Sequence, residues 1–481
     1  MAWRHSSSSE PNPTYRDGTA YPGVDSAEQV TIPKSNFGYY ALTALCIVGT
    51  LASMPFGAYW LSLALTVVGV LALGAVDLRG LLVLAYPIYG LVGATLSVAL
   101  IEDGAYVLEQ FRYGYNIGAT PLMAAYTLGF LLVAHVAITA RFGRRGPAPV
   151  AFPSTTLTRF ILIAAVVLAV VYLAIFALYG LGLSLATRFE WVSTLPPLIA
   201  RFHGVAVGTV IPMLFALGMF CIFYFRERRT VLWSLAILVM ILIASGDKFS
   251  GYLQAITLGL AGLGIAAYAR GSRLPFKFSS VFGAVLLSAL LGIAMAEGYK
   301  RMGSTDVLSS IRERVALQGH VWFGIASNPT SANPVTVADL LRENTLESPG
   351  GLDFISYLVS SPSYVYERIA RGVSFTMGGP PGILAAFGPV MGLMVFAALG
   401  LAYYASVRVV FYGMSNRLLS VACAGLSLYM IVTSATQMGR WDTLYGLVAL
   451  ATYFLILVGW ARVSLSAKRR PQLKDQPSRL R

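Results

Sequence analysis

The chain has 481 residues, of which 57% are hydrophobic and 12% charged, with a formal net charge of +14. So apolar a composition excludes an ordinary soluble protein of this length. The positive balance does not point to nucleic acid, because the basic residues are scattered over short loops and a Lys468-Arg469-Arg470 tail, where membrane topology and anionic lipid account for them.

Residues 1–36 are rich in Ser, Pro and Gly and lack an apolar core before a cleavage site, which predicts a disordered cytoplasmic tail rather than a cleaved signal. At ~20 apolar residues per crossing, residues 37–297 read as nine transmembrane helices, near 38–54, 58–76, 81–101, 119–140, 160–179, 205–225, 231–245, 252–269 and 280–297. A polar stretch over 298–378 is predicted as a large, partly helical loop. Residues 379–464 supply three more helices, near 380–405, 418–437 and 443–463, and residues 465–481 form a basic tail. The expected fold is an all-α polytopic membrane protein of about twelve spans. About two-thirds of the Lys and Arg residues fall on the side shared by the two termini. The positive-inside rule assigns that side to the cytoplasm, which puts the 298–378 loop outside.

Cys46, Cys221 and Cys423 lie inside expected spans and offer neither a disulfide framework nor a CxxC metal site. No Walker loop, HExxH or DxD motif is present, so no metal or other cofactor is expected. No internal repeat is evident, and the uneven loops, short early and long late, weaken the case for a transporter of two inverted halves.

Four clusters on the expected outer side hold most of the polar residues able to act together. The first is Arg188, Glu190, Trp191, Arg201 and His203, around Pro196-Pro197. The second is the turn 245–251, in which glycines bracket Asp247 and Lys248; these two either pair with each other or face an anion. The third opens the long loop, where Ser304 or Thr305 is the expected N-cap. At ~100° per residue, Val307, Leu308, Ile311, Val315 and Trp322 share one stripe, with Gln318 inside it and Arg314 at its edge. Arg312, Glu313 and His320 point away on that projection, leaving Arg314 and Gln318 as the better candidates to line a cavity. His320, the only histidine of the loop, is a candidate general base, with Glu343 as the fallback. The fourth cluster is Gln437, Arg440, Trp441 and Asp442, where Arg440 either grips a phosphate or pairs with Asp442. Glu102-Asp103 reads as a solvated loop end.

The segments SGDKFSG at 245–251 and RERVALQGHVWF at 312–323, with the spans around them, resemble the Wzy-type polymerases of O-antigen and exopolysaccharide repeat units and the related O-antigen ligases. The resemblance covers about 160–463. It implies a multi-pass protein of the bacterial inner membrane that performs metal-independent glycosyl transfer on the outer face. The donor would be an undecaprenyl-pyrophosphate-linked glycan and the acceptor another lipid-linked repeat unit, with a separate co-polymerase setting chain length and membrane lipids as the surroundings. On that resemblance, Arg188, Arg201, Lys248, Arg314 and Arg440 form a cationic cavity for pyrophosphate, to which Arg312 adds. Gln318, His320 and Trp322 would then meet the sugar, Trp322 by stacking. Lys248 departs from the family's usual arginine and lacks its bidentate fork. A ligase, or a transporter of lipid or polysaccharide, are the alternatives.

Overall fold

In the computed structural model of the protein, the described residues are 36–142, 155–182, 188–223, 228–245, 250–271, 305–327, 335–342, 349–370, 379–415 and 419–439, with isolated positions between 292 and 300. They are helical almost throughout. The chain begins with α1 (Asn36–Ser53), α2 (Tyr59–Val76), a short α3 (Leu78–Val83) and α4 (Ala85–Glu102). A two-stranded ribbon, β1 (Tyr106–Val107) and β2 (Arg112–Tyr113), leads to α5 (Ala119–Phe142) and α6 (Thr155–Tyr179). There follow α7 (Arg188–Thr194), α8 (Pro197–Phe223), α9 (Arg228–Ala244) and α10 (Ser250–Arg270). The polar stretch contributes α11 (Val307–Ala316), α12 (His320–Ser327), α13 (Val337–Leu341), α14 (Gly351–Val359) and α15 (Pro362–Ala370), before α16 (Gly379–Ser415) and α17 (Leu419–Met438).

Among the described residues, six helical stretches are long and apolar enough to cross a membrane: Phe37–Phe56, Tyr59–Val76, Ala85–Glu102, Ala119–Phe142, Leu162–Tyr179 and Gly379–Gly413. Shorter apolar stretches are Pro197–Val207, Val231–Ala244 and Leu253–Ala269. The chain is a helical membrane protein. The expected spans at 280–297 and 443–463 lie almost wholly outside the described residues.

α4 and α5 are the most enclosed of the long helices, whereas α1, α2 and α6 keep most of their apolar surface exposed, as lipid-facing helices do. Small hydroxyl residues join α1 to α2: Thr43 donates to the Gly69 carbonyl at 3.3 Å, and the hydroxyls of Ser53 and Ser62 lie 2.7 Å apart. With no water to compete, such groups act as polar glue between helices. Two apolar cores result. One centres on α4, α5, α12, α14, α16 and α17, and the other on α6, α8, α9 and α10.

α16 is broken at Gly388, whose φ of 71° ends one helical piece before Pro389 starts the next. Proline cannot donate the bond that would continue the ladder. The Tyr126 hydroxyl of α5 donates to the carbonyls of Gly388 and Pro389 at 3.1 and 3.2 Å, so the interruption is satisfied by a neighbour.

A second polar cluster closes the end of the bundle where α2 meets α3. Asp77 caps α3 through the Arg79 amide at 2.9 Å, receives both the Nε and Nη2 of Arg79 at 3.0 and 2.9 Å, and accepts the Tyr268 hydroxyl at 3.0 Å. The Arg79 guanidinium also lies 4.7 Å from the Tyr268 ring centre. His135, fully buried on α5, has Nε2 at 3.2 Å from the Asp77 carbonyl and Nδ1 at 3.3 Å from the Tyr40 hydroxyl. Only the donor arrangement fits a carbonyl, so the ring carries its proton on Nε2 and receives Tyr40 on Nδ1.

Candidate functional site

The opposite end of the bundle carries the polar loops. Glu102 ends α4 and is buried. Its Oε1 accepts from the amides of Ile117 and Ala119 at 2.9 and 2.8 Å, and its Oε2 from Thr120 at 2.9 Å. One carboxylate thus holds the amides that the first turn of α5 cannot satisfy internally and opposes the positive end of that helix. The expectation that Glu102-Asp103 is a solvated loop end is therefore corrected for Glu102, while Asp103 is exposed as expected. Asp103 accepts the Tyr59 hydroxyl at 3.0 Å and the Arg312 Nη2 at 2.7 Å.

Between them the chain forms the ribbon, with Tyr106 opposite Tyr113 and Val107 opposite Arg112. The turn passes through Phe111, the only described residue other than glycine with positive φ. This ribbon grips α12. Gln110 donates to the His320 carbonyl at 2.8 Å, while Arg112 donates to Gln110 at 2.9 Å and to the Ser327 hydroxyl at 3.1 Å. Those bonds fall at the first and last residues of α12. Tyr364 of α15 donates to Glu109 at 3.2 Å. Asn116 donates to the Gly57 carbonyl at 2.7 Å, tying the loop to the turn between α1 and α2.

α11 is capped by Asp306, whose side chain accepts the Ser309 amide at 3.0 Å, rather than by Ser304 or Thr305. It runs into a 3-10 turn, Leu317–Gly319, and then into α12. Three residues at 120° instead of 100° advance the helical phase by about 60°. That advance turns α12 relative to α11 but leaves the faces of α11 itself unchanged, and both helices depart from the single projected stripe. Leu308, expected inside, is 77% exposed. His320, expected to point away, is 2% exposed. Arg314 is exposed, whereas Arg312 is half-buried and makes the ion pair with Asp103. Gln318 is half-buried in the 3-10 turn. A Cβ at Gly319 would stand 2.8 Å from the Val98 amide nitrogen, so this turn meets the α4 backbone where only glycine fits.

His320 has its Nδ1 2.7 Å from the Leu317 carbonyl, which fixes the proton on Nδ1 and leaves Nε2 with the lone pair. Trp322 is 2% exposed, donates its Nε1 to the Ala119 carbonyl at 2.9 Å and meets the Tyr126 ring edge-on at 5.1 Å. The expectation that Trp322 stacks on a sugar is corrected, since its ring is enclosed by the core. Its work is to bind the late loop to the start of α5.

Of the other expected site residues, those the structure describes are not gathered here. Trp191 and His203 pack edge-on at 5.2 Å in the second core, where Tyr172 lies 2.8 Å from His203 Nδ1 and Trp191 donates to the Gly180 carbonyl at 3.0 Å. Arg201 is exposed on α8. Arg188 opens α7, and its side chain lies outside the described residues, as do Lys248, Glu343 and Arg440. Among the described residues, no three His, Cys, Asp or Glu side chains gather as they would around a metal ion. The residues missed from sequence, Glu102, Asp103, Gln110, Arg112 and Asn116, occupy a connection that carried a usable signal. An apolar, aromatic-rich run, Tyr106-Val107-Leu108, and an alternating run, Phe111-Arg112-Tyr113, flank the polar pair Glu109-Gln110 and are bracketed by Gly104 and Gly114, the pattern of a hairpin.

Residues 349–456, which include α14 to α17, match the model of a family of unknown function (DUF6418). No curated protein and no solved structure is detectably similar to the chain.

Proposed function

We propose that the protein is a polysaccharide polymerase of the Wzy type, joining undecaprenyl-pyrophosphate-linked repeat units by metal-independent glycosyl transfer at the outer face of a bacterial inner membrane. In this reading about twelve spans carry the chain across the bilayer, both termini are cytoplasmic, and the loop-bearing end faces outward. One observation carries the reading. The early loop and the late loop build a single polar layer over one end of an apolar bundle, and that layer holds both arginines and a histidine of defined tautomer.

The chemistry asks for a base and for cations. A hydroxyl of the acceptor sugar attacks the anomeric carbon of the donor, forming the new C–O bond as the bond to pyrophosphate breaks. The leaving pyrophosphate takes the electron pair, and the hydroxyl proton passes to His320 Nε2. Arg312 and Arg314 stand on the same helix, and their permanent charge suits the pyrophosphate as it leaves. His320 is buried, so this reading requires the acceptor to gain access to its Nε2. Lys248, Arg188, Arg201 and Arg440 remain further candidates for the lipid-linked pyrophosphate, and a co-polymerase for chain length.

The test is incubation of the purified protein in nanodiscs with a lipid-pyrophosphate-linked repeat unit, followed by gel separation of the glycans. A ladder of regular products without added nucleotide supports the polymerase. A single transfer that needs lipid core shifts the assignment to a ligase, and no product with any matched donor removes both.

A further inference from the structure

The ribbon after α4 has two unlike faces. Register sets Val107 opposite Arg112 on one face and Tyr106 opposite Tyr113 on the other. The first face is spent on the protein: Val107 is buried, and Arg112 reaches Gln110 and Ser327. The second face is open, with Tyr113 71% and Phe111 58% exposed. Its rings are held in place by edge contacts: Tyr106 against Tyr113 at 5.1 Å and Phe111 against Tyr364 at 6.0 Å, while Tyr115 packs on the first face against Phe323 and Arg112.

We infer that Tyr106, Phe111 and Tyr113 form a stacking platform for an oligosaccharide, recognised through the apolar CH faces of its sugar rings and independently of charge. Fixed aromatic rings offer broad apolar area at little cost in ordering, and the tyrosine hydroxyls give the sugar hydroxyls partners at the rim. These three rings carry no ionised group among them, because Glu109 is buried and Arg112, on the other face, reaches Ser327 and lies over the Tyr115 ring at 5.7 Å.

Three features select this occupant over lipid or protein. The ribbon rises from Ile101 and Glu102 and returns at Ala119 and Thr120, all buried, so it stands over the interior of the bundle rather than its lipid-facing rim. It is flanked by the turn between α1 and α2 through Asn116 and by α12 through Gln110. Three rings on a ribbon of two-residue strands also fall well short of the ~800 Å² per partner that a stable protein interface needs. The identity of the glycan, as the growing product or its acceptor, rests on the function proposed above.

The experiment uses the full chain in nanodiscs and, as probe, lipid-free oligosaccharides cut from the producing cell's own surface polysaccharide, with binding followed by calorimetry. The unmodified protein is expected to bind them, and Phe111→Ala with Tyr113→Ala to weaken binding by about tenfold or more. Tyr113→Trp should retain it, and raising salt from ~0.05 to ~0.5 M should leave affinity unchanged. Absence of binding, equal affinity in the double variant, or loss with salt overturns the platform. So does quenching of a dye on Tyr113→Cys by nitroxide-bearing lipids, which would put these rings in the bilayer. A product ladder with unaltered oligosaccharide affinity in the double variant defeats the platform alone, whereas platform-dependent binding without transfer defeats the polymerase alone.

Discussion

The two ends of the bundle are closed by different means. At the end holding Asp77, the ion pair joins residues two apart, and both partners are largely buried, with side chains 18% and 10% exposed for Arg79 and Asp77. Its remaining partners, Tyr268, Tyr40 and His135, come from other helices. At the loop-bearing end, the bonds from Arg312 to Asp103, from Gln110 to His320 and from Arg112 to Ser327 span 209, 210 and 215 residues. The Arg312–Asp103 pair is also far more open, at 40% and 34% exposure. A buried, satisfied network is costly to break because it strands a charge, while an exposed pair contributes little. The first end therefore holds the bundle together, and the second holds two loops to each other.

The contrast can be broken most forcefully at Glu102, a buried carboxylate of the loop-bearing end. Glu102→Ala strands the Ile117, Ala119 and Thr120 amides and is expected to cost about 3 to 5 kcal/mol, read as an earlier unfolding midpoint in detergent. Glu102→Gln should lose less. At the other end, Asp77→Ala leaves Arg79 without its partner and should cost about 3 kcal/mol, again as a global loss in thermal unfolding. A global transition unmoved by Asp77→Ala would show that the cluster around Arg79 is not a stability device. Gln110→Ala removes one bond from α12 and should cost about 1 kcal/mol. Its signature is local: faster amide exchange over 317–327 with little change in the global midpoint. Equal slowing or speeding of exchange across the whole bundle would contradict the separation of the two ends.

The smallest effects are electrostatic. A double-mutant cycle between Asp103→Asn and Arg312→Gln should give a coupling of about 0.2 to 1 kcal/mol that fades in high salt. Asp339, in the capping box that starts α13, has its carboxyl held below the usual range, first by the Thr336 hydroxyl and then by the Thr336 amide. A group whose pKa is lower in the folded state stabilises above its unfolded pKa and ceases to as pH falls through the folded one. Fraying of α13 on acidification, absent in Asp339→Asn, is the expected result, measured by amide exchange of 336–341.

The membrane class and the long apolar helices were legible because composition and hydrophobic length act over whole segments. α2, α5 and α6 lie within a few residues of their expected positions for that reason. The loop-bearing end was not legible for two physical reasons. A uniform 100° projection cannot pass through the 3-10 turn at 317–319, so it misassigned His320, and it cannot show that Asp103 draws one side of α11 inward, so Leu308 and Arg312 were misassigned too. Glu102 looked like a solvated loop residue because the amides that bury it belong to Ile117, Ala119 and Thr120, and backbone donors have no side-chain signature. Trp322 was legible as an important residue but not as an interior one, since its partner Tyr126 lies on a helix far away in the chain.

The interruption of α16 has a consequence for the order of assembly. The donor to the two carbonyls at the break is Tyr126, 262 and 263 residues earlier in the chain. During synthesis α5 is made long before Gly388 leaves the ribosome, and earlier segments fold first. The later segment thus inserts against a template that already presents its hydroxyl. Expressed without the first half of the protein, residues 349–456 would carry the break but not the group that satisfies it.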